Sequence, residues 1–194
     1  MIGNRPTTLT TDQLIKGLQR GKRKALNHLY DTYASLFYTM CLRYARSTQE
    51  AEDFAQEAFL RIFEKIDQFD NKGSFEGWMK RIVVTTCLNG IRGKQLVSEP
   101  LHRDDDDDSY GMVEDASIFS DLAAEDILKC IEQLPEGYRV VFNLVVLESY
   151  SHKEVAELLN ISESASRSQL SKAKNKLKAL VVNRNSVFYE QTGS

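Results

Sequence analysis

The sequence predicts an all-α protein made of two small helical domains joined by a flexible acidic linker. Apolar residues recur at three- and four-residue spacing through most of the 194 residues, which is the period of amphipathic helices. Several of these stretches are preceded by Ser or Thr with Glu or Gln three positions later, a pattern typical of capping boxes. Periodicity disappears in an acidic segment near the middle of the chain. We therefore expect domains at residues 1–95 and 120–184, a linker at 96–119 and a tail at 185–194.

Composition excludes several classes of protein. Apolar residues make up 42% of the chain, yet no run approaches the roughly 18 to 20 apolar residues of a membrane span. The N-terminus, MIGNRPTTLTTD, lacks an apolar signal segment, so we expect a cytoplasmic protein that is not inserted in a membrane. Cys41, Cys87 and Cys130 are odd in number, far apart in the sequence and embedded in apolar helical patterns. We expect them to be reduced, buried thiols.

A catalytic or metal centre is not indicated. The histidines are scattered without ligand spacing, so we expect no metal site. The sequence shows no nucleophile motif, no Gly-rich phosphate loop and no pair of carboxylates spaced to face one site. We therefore expect no catalytic residues, no cofactor and no small-molecule substrate, and a protein that is not an enzyme.

The net charge of −3 conceals an uneven distribution. Residues 1–100 carry 15 Lys and Arg against 11 Asp and Glu, and residues 127–194 carry 9 against 7. Residues 101–126 carry 1 against 10. Because phosphates respond to the local field and not to the total charge, two mildly basic blocks remain compatible with nucleic-acid binding.

Two helices are predicted in the first quarter of the chain. Thr10 and Gln13 form a capping box that opens a helix at about residues 12–20, and Gly21 ends it. A longer helix follows at about residues 22–46. Its apolar stripe is wide, as in a helix packed on two neighbours, and comprises Leu26, Leu29, Tyr30, Tyr33, Leu36, Phe37, Met40, Cys41 and Tyr44.

The helix predicted at residues 47–66 has two contrasting faces. Ser47 and Glu50 form a second capping box, in which the carboxylate reaches back to the cap N–H. One face is an apolar stripe of Ala51, Phe54, Ala55, Ala58, Phe59, Ile62 and Ile66. The other face combines Asp53, Gln56, Glu57, Leu60 and Glu64, with Phe63 at its margin. This second face is either a solvated surface with an isolated Leu or a docking surface with a small apolar anchor and a charged rim.

A turn and a further helix follow. The helical pattern is interrupted by three turn formers, Asp70, Asn71 and Gly73. Ser74 caps a helix predicted at about residues 75–90. A polar edge of that helix comprises Arg81, Thr85, Asn89 and Arg92. Trp78, at the boundary of this edge, is either a partly buried core residue or a platform for an unstacked base, since aromatic stacking contributes about 1–3 kcal/mol per base.

The acidic segment contains Pro100, Gly111 and five consecutive aspartates at residues 104–108. This composition is typical of a solvated linker. It could also shield the basic domains from stray DNA in the free protein. A divalent-ion loop is a third hypothesis, although the run lacks the alternating ligands and central Gly of a calcium loop.

Two helices are predicted directly after this segment. Ser120 caps the first, which ends near Gln133 and buries Leu122, Ile127, Leu128, Ile131 and Leu134. Pro135 suits the first position of the next helix. Its apolar residues are Tyr138, Val141, Phe142, Val145 and Val146.

The last two predicted helices form a helix-turn-helix, which is typical of DNA-binding proteins. Ser151 and Glu154 cap the short helix HKEVAELL, Asn160 tolerates the left-handed backbone of a tight turn, and Ser162 caps the final helix. Residues 162–184 carry six Lys or Arg against one Glu, although a lysine-rich helix can also serve solubility alone. One face of the final helix could enter the major groove with Arg167 beside it, and comprises Ser168, Ser171, Lys172 and Asn175.

Two stretches resemble the small bacterial sigma factors of the extracytoplasmic-function type, in the sigma-70 family: EDFAQEAFLRIFEKIDQFDNKGSFEGWMKRI and SHKEVAELLNISESASRSQLSKAKNKLKAL. The resemblance implies a sigma2-like domain, a linker and a sigma4-like domain. It also implies an alternative sigma factor, which binds core RNA polymerase and directs it to promoter DNA while the polymerase performs the chemistry. Anti-sigma proteins are common inhibitors in this family, so the resemblance implies one as a possible partner.

The resemblance assigns the polar face of the 47–66 helix to polymerase. In the family, a D-x-x-Q-E-x-F motif docks on the coiled coil of the beta-prime clamp, and Asp53, Gln56, Glu57 and Phe59 match it. The implied core-binding residues are Asp53, Gln56, Glu57, Leu60 and Phe63. The beta flap is the second implied contact on polymerase. An acidic linker could then also run through the basic RNA-exit path.

The resemblance likewise implies two sets of DNA contacts. In the family, the loop equivalent to residues 69–77 and the following helix capture a flipped base of the melted −10 element. The implied contacts are Asp70, Asn71, Lys72, Ser74, Trp78, Lys80, Arg81, Thr85, Asn89 and Arg92. The second stretch resembles the region that reads the −35 element as duplex. There the implied contacts are Arg167, Ser168, Ser171, Lys172, Lys174 and Asn175.

The chain departs from the family pattern at three positions. Many relatives carry Asn in place of Thr85, a β-branched apolar residue in place of Ser166, and Gly in place of Asn160. The base preference of the first domain and the docking angle of the final helix therefore do not follow from the resemblance.

Two other hypotheses fit the same residues. A conventional helix-turn-helix regulator would bind operator DNA without polymerase and would need a dimer interface, of which the sequence shows no sign. A protein-only interaction adaptor would show the same retention on promoter DNA with and without core polymerase. Specific duplex binding by the chain alone would favour the regulator.

Overall fold

A computed structural model of the chain describes residues 9–95 and 124–192. Within these residues the structure contains eight α-helices and no strand, so the all-α prediction is confirmed. The helices are α1 (Thr11–Gln19), α2 (Arg23–Leu42), α3 (Thr48–Lys65), α4 (Phe75–Gln95), α5 (Ala124–Glu132), α6 (Glu136–Phe142), α7 (His152–Leu159) and α8 (Glu163–Thr192). A 3₁₀ turn (Ile66–Gln68) follows α3, and a π-helical turn (Asn143–Leu147) follows α6.

The chain divides into two compact units, residues 1–100 and 101–194. The predicted linker at 96–119 and the predicted cap Ser120 lie outside the described residues. Helix α8 continues to Thr192, beyond residue 185 at which the tail is predicted to begin. The predicted domain limits stay predictions.

Capping side chains begin α1 and α3 where the sequence predicts. The Gln13 backbone N–H donates to the Thr10 hydroxyl at 3.3 Å, and the Thr10 N–H donates to the Gln13 side chain at 3.1 Å. At α3, the Ser47 hydroxyl accepts from the Glu50 N–H at 3.2 Å. The Glu50 carboxylate accepts from the Arg46 N–H at 2.6 Å, one residue before the cap. This start is therefore tied to the preceding turn as well as to its own first turn.

The core of the first unit forms where α2, α3 and α4 contact one another, and α1 covers one side of α2. Leu29 and Phe37 of α2 are fully buried, as are Ile62 of α3 and Met79 of α4. The Phe37 ring lies 5.2 Å from that of Phe59, between centroids, so aromatic contact joins α2 to α3. The wide apolar stripe of α2 thus packs on several neighbours, as its width predicts.

Two cysteines that are distant in the sequence meet in this core. The Cys41 and Cys87 sulfur atoms lie 3.7 Å apart; both residues are buried thiols outside any disulfide, as is Cys130. The prediction of reduced, buried thiols is confirmed, and the first two contribute to contact between α2 and α4.

Helix α4 extends past Gly90, where the sequence predicts its end. A Cβ atom at Gly90 would stand 2.2 Å from the Phe54 Cε1 atom of α3, closer than any real carbon contact. The glycine therefore lets α4 approach α3 closely, and it does not terminate the helix. Its role depends on a neighbour 36 positions away, which no local pattern reveals.

In the second unit α5, α6 and α7 all contact α8, and the π-helical turn contacts α6 and α7. Its buried centre includes Val141, Leu144, Val155 and Leu177. Pro135 stands one position before the first residue of α6 and not at that first position.

Two apolar residues of this unit are exposed, and for one of them, Leu128, the sequence predicts burial. Val146 is 43% exposed and Leu128 is 37% exposed. The π-helical turn inserts an extra residue per turn after Phe142, so the register predicted for a regular α-helix no longer holds at Val146.

Polar residues enter this core unexpectedly. Asn143 is fully buried and Arg139 is 8% exposed. The Arg139 guanidinium donates to the Glu132 backbone carbonyl at 3.4 Å, which ties α6 to the end of α5. Hydrophobic periodicity carries no signal for such contacts.

Candidate functional site

The polar face of α3 is accessible over its whole length. Asp53, Gln56, Glu57 and Leu60 are exposed and Phe63 is partly exposed. We call these five residues the docking surface. Leu60 is 57% exposed, which leaves an apolar side chain among acidic and amide groups. Glu57 is held in place by Arg61, whose Nε atom donates to it at 2.8 Å.

A groove between α2 and α3 adjoins the docking surface. Gln56 and Leu60 form one wall, and Tyr30, Ala34 and Tyr38 of α2 form the other. Tyr30 is 60% exposed, so its prediction as part of the buried stripe is wrong. Its ring nevertheless contacts Phe59 at 5.2 Å between centroids, at the edge of the aromatic cluster. The sequence did not indicate that α2 contributes to this surface, since an aromatic stripe usually signals core alone.

Phe59, the aromatic residue that matches the family motif, belongs to the core. It is 6% exposed and contacts both Phe37 and Tyr30. Phe59 therefore has a structural role in this chain: it packs α3 against α2, and the docking surface lies on the outer side of α3.

The turn before α4 is ordered by its own polar groups. The Asp70 carboxylate accepts from the Lys72 backbone N–H at 3.0 Å and pairs with the Lys72 ammonium at 3.1 Å. These contacts, the backbone hydrogen bond first, lower the pKa of Asp70 below its ordinary value. Asn71 and Gly73 have φ angles of 60° and 90°, and the Ser74 hydroxyl accepts from Gly77 at 3.3 Å. The predicted turn and cap are confirmed.

Trp78 lies at the boundary of the core, as the first of its two predicted roles requires. It is partly buried, and its ring is stacked on Phe75 with centroids 5.8 Å apart and planes 16° apart. Phe69 contacts the same ring at 5.4 Å. A partly exposed indole supported by two phenyl rings is a rigid platform beside the turn.

The polar edge of α4 carries its cations in defined positions. Lys80 pairs with Glu76 at 2.7 Å, while Arg81, Asn89 and Arg92 are exposed. The Thr85 hydroxyl donates to the Arg81 backbone carbonyl and is only partly exposed. Because its hydrogen is engaged by the helix, Thr85 presents an acceptor to solvent, unlike an Asn side chain, which also presents two donors.

The helix-turn-helix forms as predicted. Ser151 and Glu154 make a reciprocal capping box, and Asn160 adopts the left-handed conformation with φ 55° and ψ 49°. The Ser162 hydroxyl accepts from the Ala165 N–H at 3.0 Å at the start of α8.

The predicted reading face of α8 points away from the core. The buried positions of this helix are Ser166, Leu170, Ala173, Leu177 and Val181. Ser168, Ser171, Lys172 and Asn175 lie on the opposite side, with Arg167 and Lys174 at one flank. Arg167 pairs with Glu163 at 3.0 Å, one turn earlier.

Two family models match the chain. Sigma-70 region 2 matches residues 29–97, and Sigma-70, region 4 matches residues 124–177. Both models describe the same family, and together they span more than half of the 194 residues. The chain belongs to the sigma-70 family.

Curated relatives place this sigma factor among the extracytoplasmic-function type. The ECF RNA polymerase sigma factor SigW of Bacillus subtilis is 28% identical over 173 residues, covering 84% of this chain and 92% of the relative. The ECF RNA polymerase sigma-E factor of Escherichia coli is 27% identical over 186 residues, covering 89% and 97%.

Solved structures share the fold of this sigma factor. The sigma factor RpoE of Bartonella quintana, in complex with the anti-sigma factor NepR, has a TM-score of 0.52 at 17% identity, covering 81% of this chain and 97% of that chain. CnrH, in complex with the cytosolic domain of CnrY, has a TM-score of 0.50 at 18% identity, with 88% and 96% covered.

Other classes of site find no support in the described parts of this sigma factor. Among residues 9–95 and 124–192, no three His, Cys, Asp or Glu side chains are grouped to hold a metal ion. Over the same ranges, no helix is both long and apolar enough to cross a membrane.

Proposed function

We propose that this chain is an alternative sigma factor that binds core RNA polymerase through the docking surface and reads promoters with both of its units. The observation that carries the proposal is that one chain contains both sigma-70 regions, and that each region presents its predicted contacts on an accessible face. It is not an enzyme in this proposal, since the polymerase performs the chemistry, and it acts in the cytoplasm.

Core polymerase is the proposed partner of α3. The docking surface offers one exposed apolar anchor, Leu60, within a rim of Asp53, Gln56 and Glu57. Interfaces of this composition obtain most of their binding energy from the central anchor, while the charged rim selects the partner. The beta-prime clamp is the proposed contact, with the beta flap as the contact of the second unit.

Promoter melting is the proposed role of the turn and α4. Unpairing and unstacking a base costs a few kcal/mol, which a protein without fuel must recover from stacking, hydrogen bonds and phosphate contacts. Trp78 supplies a supported stacking platform, Asp70, Asn71 and Ser74 supply polar groups, and α4 and the turn supply cations. The proposed −10 contacts thus lie along one turn and one helix edge.

The second unit is proposed to read the −35 element. The outward face of α8 carries short polar side chains that approach base edges closely, flanked by Arg167 and Lys174 for phosphates or guanine. Two modules on one chain raise each other's effective concentration on DNA, so each can bind weakly while the pair selects two boxes at a defined spacing.

The decisive experiment is run-off transcription with purified, sigma-free core polymerase on a library of genomic fragments. We expect the chain to join core and to start transcription at a subset of templates that share two boxes. An operator-binding regulator would instead retain specific duplexes without core. No transcript from any template, with no association with core, would refute the proposal.

Replacing Trp78 by alanine is expected to lower open-complex formation by about 10- to 100-fold, since the lost base stacking is worth about 1–3 kcal/mol. Permanganate reactivity of unpaired thymines in the promoter measures this loss. Trp78→Phe should retain most of the activity, because an aromatic face remains. A template with a pre-melted bubble should restore transcription by the alanine variant. Equal loss on bubble and duplex templates would contradict a melting role.

A further inference from the structure

A partly buried polar contact joins the two helices of the helix-turn-helix. The Ser166 hydroxyl lies 2.8 Å from the His152 Nδ1 atom. Ser166 is fully buried in the second turn of α8, and His152 is the first residue of α7 and partly exposed. The hydroxyl donates when the imidazole is neutral at Nδ1 and accepts when Nδ1 is protonated, so the contact persists in either state.

Both ends of this contact are held by capped backbone. His152 follows Ser151, whose hydroxyl and backbone N–H exchange hydrogen bonds with Glu154. Ser166 lies one turn beyond Ser162, and its N–H donates to the Ser162 carbonyl at 3.0 Å. Because each residue lies in a helix start ordered by its own hydrogen bonds, a hydrogen bond between the two residues constrains the angle between α7 and α8.

The same contact lies directly behind the reading face. Ser166 points into the core from α8, while Ser168 and Lys172 lie on the opposite side of that helix. A rotation of α8 that broke the contact would therefore displace the outward side chains by a similar amount. Base-edge hydrogen bonds tolerate little displacement, because they require donor and acceptor atoms about 2.7–3.2 Å apart.

A serine is an unexpected occupant of a fully buried helix position. A buried hydroxyl is tolerated where it has a partner, and it is costly where it has none. Here the partner is a histidine 14 positions earlier. The His152–Ser166 pair therefore provides a directional hydrogen bond where two apolar side chains would give only non-directional contact between α7 and α8.

We propose that His152 and Ser166 are positioning residues whose hydrogen bond sets the angle of α8, and with it the alignment of the reading face on the −35 duplex. This inference rests on the proposed function, since it assumes that α8 reads DNA. Neither residue needs to touch DNA for the effect to arise.

The test uses an isosteric pair of variants in the full chain bound to core polymerase. Ser166→Thr keeps a hydroxyl at this position. Ser166→Val introduces a side chain of the same shape as threonine but without the hydroxyl. His152→Phe combined with Ser166→Val replaces both polar partners by apolar groups. Each holoenzyme is titrated against a promoter duplex found by run-off selection and against the same duplex with its −35 box scrambled. The ratio of the two affinities is compared at a temperature well below unfolding.

We expect Ser166→Val to reduce that ratio by about 5- to 20-fold, Ser166→Thr to retain it within about twofold, and the double variant to recover most of it. Binding of the two Ser166 single variants to the scrambled duplex should stay constant, since neither substitution changes a charge. A variant that is merely less stable would lose affinity for both duplexes in proportion to its folded fraction, so the ratio would not move.

Two results would overturn the inference while leaving the proposed function intact. One is an unchanged ratio for Ser166→Val in a holoenzyme that still selects its promoter. The other is a double variant as defective as the single one, which would mean that the two residues act separately. If the unmodified chain with core selects no promoter at all, the proposed function itself fails.

Discussion

Replacing Leu60 by glutamate is expected to lower the affinity of the chain for core RNA polymerase by about 100-fold or more. Burying a Leu side chain contributes about 1.5–3 kcal/mol, and a carboxylate forced into the same interface adds a desolvation cost. A 100-fold loss corresponds to about 2.7 kcal/mol. Because Leu60 is 57% exposed in the free chain, the variant should fold normally. Fluorescence anisotropy of the labelled chain titrated with core measures the effect.

Matched variants separate the anchor from the charge of the surface. Leu60→Ala should weaken binding by about 10-fold, since it removes apolar area without adding charge. Asp53→Ala with Glu57→Ala should also weaken core binding, through loss of the rim. Asp31→Ala, which removes an exposed acid from α2, should leave affinity unchanged. If Leu60→Glu bound core as tightly as the unmodified chain, α3 would be a solvated face with an isolated Leu.

Replacing Phe37 by alanine is expected to lower the free energy of unfolding of the first unit by about 3–5 kcal/mol, the usual cost of truncating a buried Phe. Phe37 is fully buried and contacts the rings of Tyr33 and Phe59, so the cavity would open between α2 and α3. Urea unfolding followed by the fluorescence of Trp78, the single tryptophan of the chain, reports on this unit.

Tyr30→Ala is the matched control for that prediction. Tyr30 belongs to the same aromatic cluster but is 60% exposed, so its truncation should cost about 1 kcal/mol or less. If Phe37→Ala and Tyr30→Ala lowered the free energy of unfolding by similar amounts, burial would not determine how much each ring of this cluster contributes to stability. Tyr30→Ala also tests whether the groove wall on α2 takes part in core binding.

Local chemistry explains which predictions from the sequence are confirmed. A capping box such as that of Ser151 and Glu154 involves residues three positions apart, so the helix start follows from adjacent residues. The same holds for Asn160, whose left-handed backbone ends α7, and for Asp70, which orders its own turn. The reading face of α8 follows from helical period alone, since its buried positions are spaced by three or four.

The predictions from the sequence fail where residues distant in the chain, or an irregular turn, determine a helix end or the burial of a side chain. Helix α4 is predicted to end at about residue 90 but continues to Gln95, and the missing Cβ of Gly90 leaves space for Phe54 of α3. Val146 belongs to an apolar stretch predicted as a regular helix, but it lies in a π-helical turn, where the register changes, and is 43% exposed. Tyr30 looks like core, yet its side chain is 60% exposed at the edge of the aromatic cluster.

The sequence alone determined the all-α class, the helix starts at Thr10, Ser47, Ser74, Ser151 and Ser162 and, through its motifs, the family and the two groups of DNA-contact candidates, because caps, periodicity and motifs depend on residues within a few turns of one another. Tertiary structure decided which aromatic residues support Trp78, that α2 contributes a wall to the surface beside Leu60, and that Ser166 is bonded to His152. These contacts depend on how closely and at what angle helices approach, and that geometry results from the summed fit of many side chains, which no single stretch of sequence encodes.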